Sequence, residues 1–228
     1  MIHFNRVTTL CHGQTLFQDI SFFLPKASYT CVYGEDGAGK SSLLRMIAGE
    51  LLPNHGTITV NGMELQHLPA DRLPYYRRQI GWVESQPTLL DNLSTSANVR
   101  MPLEIAGLDR PAIRERTAEI LELLGLAMMA DVPTQRLTAD QRWLVLCARA
   151  TVHRPAVVLI DEPAVAISDA TADKQRELTA HLTENGTTTV VVTDPSNIAS
   201  ATNKTGRLEL TQGRAFFYEH TSSTESHQ

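Results

Sequence analysis

The stretch GEDGAGKSS at residues 34–42 places Gly34, Gly39, Lys40 and Ser41 at every fixed position of the pattern G-x-x-x-x-G-K-[ST]. The chemistry of that spacing is the holding of phosphate. Glycines let the backbone curl so that successive N–H groups turn toward anionic oxygens, a cradle that side chains would obstruct. Glu35, Asp36, Gly37, Ala38 and Ser42 complete the loop. Lys40 brings a cation to the β- and γ-phosphates, and Ser41 offers a hydroxyl to Mg²⁺. A helix opening at Lys40 aims the positive end of its dipole at the same anion. An ordinary glycine-rich turn is the alternative reading, but the strand-like run at 29–33 before the loop and the helical pattern after it favour the phosphate loop.

A second candidate lies far downstream in AVVLIDEP at 156–163, an apolar run that ends in two acids. Asp161 can hold Mg²⁺ through water. Glu162 stands where a carboxylate can polarise an attacking water, which is general-base work in phosphoryl transfer. The bland reading is a strand followed by a solvated acidic turn; a complete phosphate loop upstream argues for the catalytic one.

These residues need a frame to hold them. The 228-residue chain is long enough for a sizeable core, and its hydrophobic content of 42% and charged content of 20% are those of a globular protein. A net charge of −5 argues against a broad nucleic-acid-binding surface, so no nucleic-acid partner is expected. The basic and aromatic residues of DRLPYYRRQIG read as an ordinary surface helix. Cys11, Cys31 and Cys147 have no metal-ligand spacing and read as buried thiols in a reducing compartment. The dispersed histidines form no metal pattern. No window approaches the ~20 apolar residues of a membrane span, which places the chain in the cytoplasm.

Runs rich in β-branched and aromatic residues predict strands at 2–8, 16–24, 29–33, 57–60, 80–83, 156–160, 188–193, 207–210 and 215–218. AVVLI and TTVVVT are apolar or β-branched throughout, as central parallel strands covered on both faces are. Helices are expected from Lys40, at 71–78, at 111–124, at 138–152 with Thr138 as N-cap, and at 169–182. In the 111–124 segment Ile113, Ala118, Ile120, Leu121 and Leu124 recur at helical spacing. The order predicts an α/β core interrupted by a helical block at about 92–152. The polar tail at 219–228 reads as disordered.

With GEDGAGKSS as Walker A and VVLIDEP as Walker B, the chain resembles the nucleotide-binding subunits of ABC transporters over nearly its whole length. Within them YYRRQIGWV and NVRMPLEIAGLDRPAIRERTAEILELLGL look most like the cell-division ATPase group FtsE, with the LolD and MacB ATPases next. The resemblance implies a P-loop NTPase fold of the ABC ATPase type, with an antiparallel β subdomain and an inserted helical subdomain, over residues 1–218. It implies ATP and Mg²⁺ as cofactors. It also implies a dimer, with itself or with a paralogous ATPase, in which each ATP lies between Walker A of one subunit and the signature motif of the other. An FtsX-like integral membrane protein would hold the subunit at the inner face of the cell membrane.

Several family positions depart from the pattern. The adenine-stacking aromatic falls on Cys11, beside His12, and a thiol offers far less stacking surface. The glutamine that ligates Mg²⁺ falls on Ser85, with Gln86 one residue late. The signature LSGGQ reads LTADQ at 137–141, which sets the carboxylate of Asp140 where a glycine backbone comes close to the partner's nucleotide. The switch histidine is replaced by Asp194, which when ionised only accepts hydrogen bonds. The D-loop aspartate falls on Ser168, with Asp169 adjacent. The parts that hold Mg-nucleotide within one subunit are kept, and those that close a dimer or trigger cleavage are altered. The expectation is a nucleotide-binding engine of FtsE type with weak turnover. The alternatives are a pseudo-ATPase regulatory module and the energising subunit of a LolD- or MacB-type exporter.

Overall fold

The computed structural model describes residues 1–11, 13–86, 88–163, 166–193 and 205–218. Along the chain run β1 (Ile2–Cys11), β2 (Gln14–Leu24), β3 (Tyr29–Gly34), α1 (Lys40–Ile47), β4 (His55–Val60) and β5 (Met63–Glu64). Then follow α2 (Leu73–Arg77), β6 (Ile80–Val83), α3 (Thr95–Ile105), α4 (Arg110–Leu123), α5 (Ala139–Thr151) and β7 (Val157–Ile160). The described elements end with α6 (Asp169–Glu184), β8 (Thr188–Val192), β9 (Thr205–Thr211) and β10 (Arg214–Tyr218). Contacts divide the chain into two compact units, Met1–Pro74 with Thr188–Gln228, and Tyr75–Thr187. The architecture is α/β, with an antiparallel sheet, parallel strands and an inserted helical segment, as the sequence implies.

In the first unit β2, β1, β4 and β5 form an antiparallel sheet in that order. Alternation makes one face of β1: Ile2 and Phe4 are buried, while His3 and Asn5 face out. Phe4 stacks on Phe22 of the neighbouring strand with ring centroids 4.5 Å apart. The second sheet of this unit places β3 between β8 and β9, parallel to both, and β10 pairs antiparallel with β9. All five residues of β8 are buried, including Thr188 and Thr189. A strand covered on both faces has no polar side, which is why TTVVV lacks the alternation of β1. Leu43, Leu44, Met46 and Ile47 make the buried face of α1, which packs against β3, β4 and β8.

In the second unit β6 and β7 are parallel, with Ile80 opposite Val157 and Val83 opposite Ile160. Helix α5 lies on β6 at backbone distance. A Cβ placed on Gly81 would stand 2.0 Å from the carbonyl oxygen of Ala150, so only glycine permits this approach. Six consecutive residues of α5, Trp143 to Ala148, are buried. Asn98 of α3 is wholly buried and ties down the loop that precedes its own helix. Its amide donates to the carbonyls of Leu90 and Ser94, and its oxygen accepts from the Leu90 N–H at 2.9 Å. Among the described helices none is long and apolar enough to cross a membrane.

Two sequence expectations are corrected. The helix expected at 71–78 shrinks to the five residues of α2, because Arg72 donates its N–H to Pro69 in a turn and Gln79 closes another onto Tyr76. Cys11 is exposed, since it ends β1 at the hairpin leading to β2, while Cys31 and Cys147 are buried as expected. In α4 the buried positions are Thr117 and Leu121; Ala118 is exposed and Ile113 and Ile120 are half-buried. The tail at 219–228 lies outside the described residues.

The Gly81 contact predicts that Gly81→Ala lowers stability by about 1–3 kcal/mol or more, through overpacking against backbone that cannot yield. Urea denaturation should show a lower midpoint at unchanged slope.

Candidate functional site

Strand β3 runs directly into the phosphate loop. Gly39 ends the loop with φ 96° and serves as N-cap of α1, a conformation that side-chain-bearing residues resist. A Cβ there would also meet the Phe17 ring at 2.7 Å, so the buried Phe17 of β2 packs directly against the loop. No side chain caps the first turn of α1. Its amides therefore remain available to an anion, the arrangement by which helix N-termini hold phosphate. The ammonium of Lys40 folds back over the loop and donates to the carbonyls of Gly34 at 2.7 Å and Glu35 at 3.2 Å. Its nearest carboxylate, Asp36, is 3.9 Å away and fully exposed, so water screens the pair. Ser41 is exposed and Ser42 half-buried, beside the same helix start.

In the second unit the candidate residues sit at the carboxyl ends of β6 and β7, where parallel sheets place ligands. The N–H of Asp161 donates to the Val83 carbonyl at 2.8 Å, continuing the β6–β7 ladder by one step. Asp161 is buried, with 5% of its surface exposed, and its carboxylate accepts from the Glu162 N–H at 3.0 Å. Glu162 itself is exposed. Ser85 is half-buried and Gln86 exposed in the segment leaving β6, so the register puts both beside the strand that delivers Asp161. That segment is pinned from Thr88 onward, where the Thr88 carbonyl accepts from the Arg149 guanidinium at 2.9 Å. Among the described residues no cluster of three or more His, Cys, Asp or Glu side chains could cage a metal. This donor set suits Mg²⁺, which needs one or two carboxylates and takes its remaining ligands from water and phosphate.

The LTADQ segment opens α5 with a complete capping box. Thr138 accepts from the Gln141 N–H at 3.2 Å, and the Gln141 side chain accepts from the Thr138 N–H at 3.0 Å. The pattern T-x-x-Q carries this signal in the sequence. No local pattern announces the next contact. One Asp140 oxygen accepts from the Ser168 hydroxyl at 2.6 Å, and the other from the Ser168 N–H at 3.1 Å. Ser168 is in turn the N-cap of α6. The two substituted family positions are thus joined to each other within one chain. The carboxylate that the sequence assigns to a facing nucleotide is engaged by its own chain.

Cys11 stands exposed, and His12 and Asp194 lie outside the described residues. Burial pushes the Cys31 thiol up to about 11 and the Cys147 thiol up to about 12, so neither is a nucleophile near neutral pH.

The Asp140–Ser168 contact makes a titration prediction. Hydrogen bonds from the Ser168 hydroxyl and then its N–H hold the Asp140 carboxyl below its ordinary 3.8. A carboxylate with a depressed folded value stabilises the fold above that ordinary value, and the contribution is lost as pH falls through the folded one. Carbon-detected NMR should therefore find Asp140 titrating below 3.8 in the wild type and moving upward in Ser168→Ala.

Residues 17–165 match the ABC transporter family. The methionine import ATP-binding protein MetN of Bradyrhizobium diazoefficiens is 36% identical over 187 residues, covering 82% of this chain and 54% of that protein. The cell division ATP-binding protein FtsE of Haemophilus influenzae is 34% identical over 200 residues, covering 87% of this chain and 92% of that protein. The chain thus spans about half the length of the MetN relatives. Among solved structures, the ATP-binding cassette MJ0796, in a dimeric post-hydrolysis state bound to ADP and Pi, superposes with a TM-score of 0.86 at 26% identity, covering 97% of this chain and 99% of that one. A match over residues 17–165, joined to the phosphate loop and the parallel strands that carry it, makes this chain a member of the ABC transporter family.

Proposed function

We propose that the chain is the ATP-binding subunit of an ABC-type membrane complex, FtsE-like in its output, and that it binds Mg-nucleotide firmly while turning it over slowly. The observation that carries the reading is the Lys40 ammonium resting on loop carbonyls beside an uncapped helix start. A triphosphate would exchange those weak acceptors for charged oxygens and take up the free amides of α1. Lys40 and the backbone of Gly34 to Ser42 would hold the phosphates, and Ser41 and Asp161 are the candidate metal ligands, with Gln86 as a third. Bound Mg²⁺ would supply the charge that neutralises the phosphate oxygens. Glu162, exposed beyond β7, is the candidate general base that takes a proton from water.

The weak-turnover half of the proposal rests on Asp140 and Asp194. A family dimer of the kind described for MJ0796 would bring the first turn of α5 toward the facing subunit's nucleotide. In this chain that turn carries its own anion, tied to Ser168. Closure would have to bring a carboxylate to phosphate or detach it from Ser168. The FtsE-like output is supported by 34% identity over 200 residues to the cell division ATP-binding protein FtsE. An import role of the MetN type is the second reading, supported by the 36% identity to that group. The membrane protein that copurifies with the chain separates the two, an FtsX-like one supporting the first.

Lys40→Ala should weaken MgATP binding by about 10- to 100-fold, the scale of a lost charge-assisted hydrogen bond. Isothermal calorimetry that finds the affinity unchanged removes the proposed site. Asp140→Gly combined with Asp194→His should raise steady-state hydrolysis and ATP-dependent dimerisation well above wild type, and adding Glu162→Gln should abolish the gain in hydrolysis. If hydrolysis and dimerisation both stay at wild-type levels, the two carboxylates are not the cause of slow turnover.

A further inference from the structure

Gln86, the third candidate metal ligand, is exposed in the segment that leaves β6, yet the chain on both sides of it is fixed. Before it, Val83 is paired with Ile160 in the β6–β7 ladder. After it, each residue from Thr88 to Asp91 is held. The Thr88 carbonyl accepts from Arg149, and Leu89 is buried. Leu90 donates its N–H to Asn98 and accepts from the Asn98 amide at its carbonyl, and the Asp91 carboxylate accepts from Arg142. Four residues, 84–87, are left to span the two anchors.

Helix α5 supplies both flanks of this span from adjacent residues. The Ala150 carbonyl lies against Gly81 of β6, and the Arg149 side chain holds Thr88. Arg142 and Arg149 are seven residues apart, about two turns, so they share a face and reach the two ends of the 88–91 stretch. Their partners differ. Arg142 has a carboxylate in Asp91 and a second acceptor in the Thr134 carbonyl at 2.9 Å. Arg149 is half-buried, forms no ion pair among the described residues, and donates to a neutral carbonyl. Burial pulls its guanidinium below the ordinary value. A partly desolvated cation is unfavourable without a well-made hydrogen bond, and a charged donor makes that bond about twice as strong as a neutral one. This tie falls on the anchor nearest Gln86.

We propose that Arg149 is a positioning residue for Gln86: by holding the Thr88 carbonyl it fixes where the 84–87 segment stands, and through Gln86 it governs the Mg²⁺-dependent part of nucleotide affinity. The proposal rests on the reading of the chain as a Mg-nucleotide-binding subunit with Gln86 among the metal ligands. Mg²⁺ demands near-octahedral geometry, so a ligand on a short exposed segment serves it only when the segment itself is held. Loss of the Arg149 tie would free Thr88 and move the later anchor outward to the buried Leu89. Arg149 thus acts through the backbone of its neighbour segment and not by contact with nucleotide or metal.

The test is calorimetric titration of ATP, with Mg²⁺ and in EDTA, into the wild type, Arg149→Met, Gln86→Ala and the double variant. Arg149→Met should weaken MgATP binding about tenfold, the scale on which residues that orient a metal ligand act. It should leave metal-free ATP affinity unchanged and add nothing in the Gln86→Ala background. Arg149→Lys keeps a cationic donor on a long stem and should recover most of the loss. Hydrogen exchange read by mass spectrometry should be faster across 84–88 in Arg149→Met and close to wild type in Arg149→Lys. Equal losses with and without Mg²⁺, losses that add in the double variant, or unchanged exchange across 84–88 would give Arg149 a general structural role and overturn the proposal. Wild-type MgATP affinity in Gln86→Ala overturns it by removing Gln86 as a ligand. A loss in Gln86→Ala with none in Arg149→Met keeps Gln86 in the metal site and removes only the role of Arg149. Should Arg149→Met fail to fold, Arg149→Gln takes its place in the same titrations.

Discussion

Strands covered on both faces impose the constraint on which the rest depends. β7 and β8 are buried residue by residue, so they hold no polar side chain in reach of solvent except where they end. The candidate phosphate and metal ligands among the described residues therefore stand at a strand's carboxyl end or at the helix start that follows it. β3 delivers the phosphate loop, β6 delivers Ser85 and Gln86, and β7 delivers Asp161 and Glu162. The same rule explains why Asp161 is both a ladder partner of Val83 and the first acid after the strand. Its backbone belongs to the sheet and its side chain to the loop.

Legibility in the sequence follows the range of the interaction involved. The turn at Gly39 and the helix start after it were readable because their requirements are local: a left-handed glycine, a lysine next to it, and a helical pattern within the same nine residues. The buried strands were readable from composition, and the cap of α5 from Thr138 and Gln141 three residues apart. The Asp140–Ser168 contact was not, since its partners are 28 residues apart and no spacing rule links the two positions. The supports were equally silent. Nothing near Gly39 names Phe17, and nothing near Gly81 names Ala150. In α4 the periodicity identified a helix correctly, but spacing states which residues share a face and not what covers that face.

Asp140 also shows how one residue can serve local stability and, under the proposed function, oppose a shared geometry. A carboxylate in the first turn of a helix interacts favourably with the dipole, and Asp140 gains two further donors from Ser168. Within the single chain these contacts are mutually supportive. They join the start of α5 to the start of α6, two helices that Trp143 and Gln175 also join by a 2.7 Å hydrogen bond. Under the proposed function, the cost falls on assembly with a facing anion and not on folding.

Helix α5 is keyed along its whole length, and this limits how it can move. Asp140 holds it to α6, Arg142 to Asp91 at 2.8 Å, Arg149 to the Thr88 carbonyl, and its backbone at Ala150 lies on Gly81. With 3.6 residues per turn, inserting a single residue would rotate everything beyond it by about 100°. All the later keys would then miss their slots together. The length of α5 is therefore under tighter constraint than the identity of its exposed side chains.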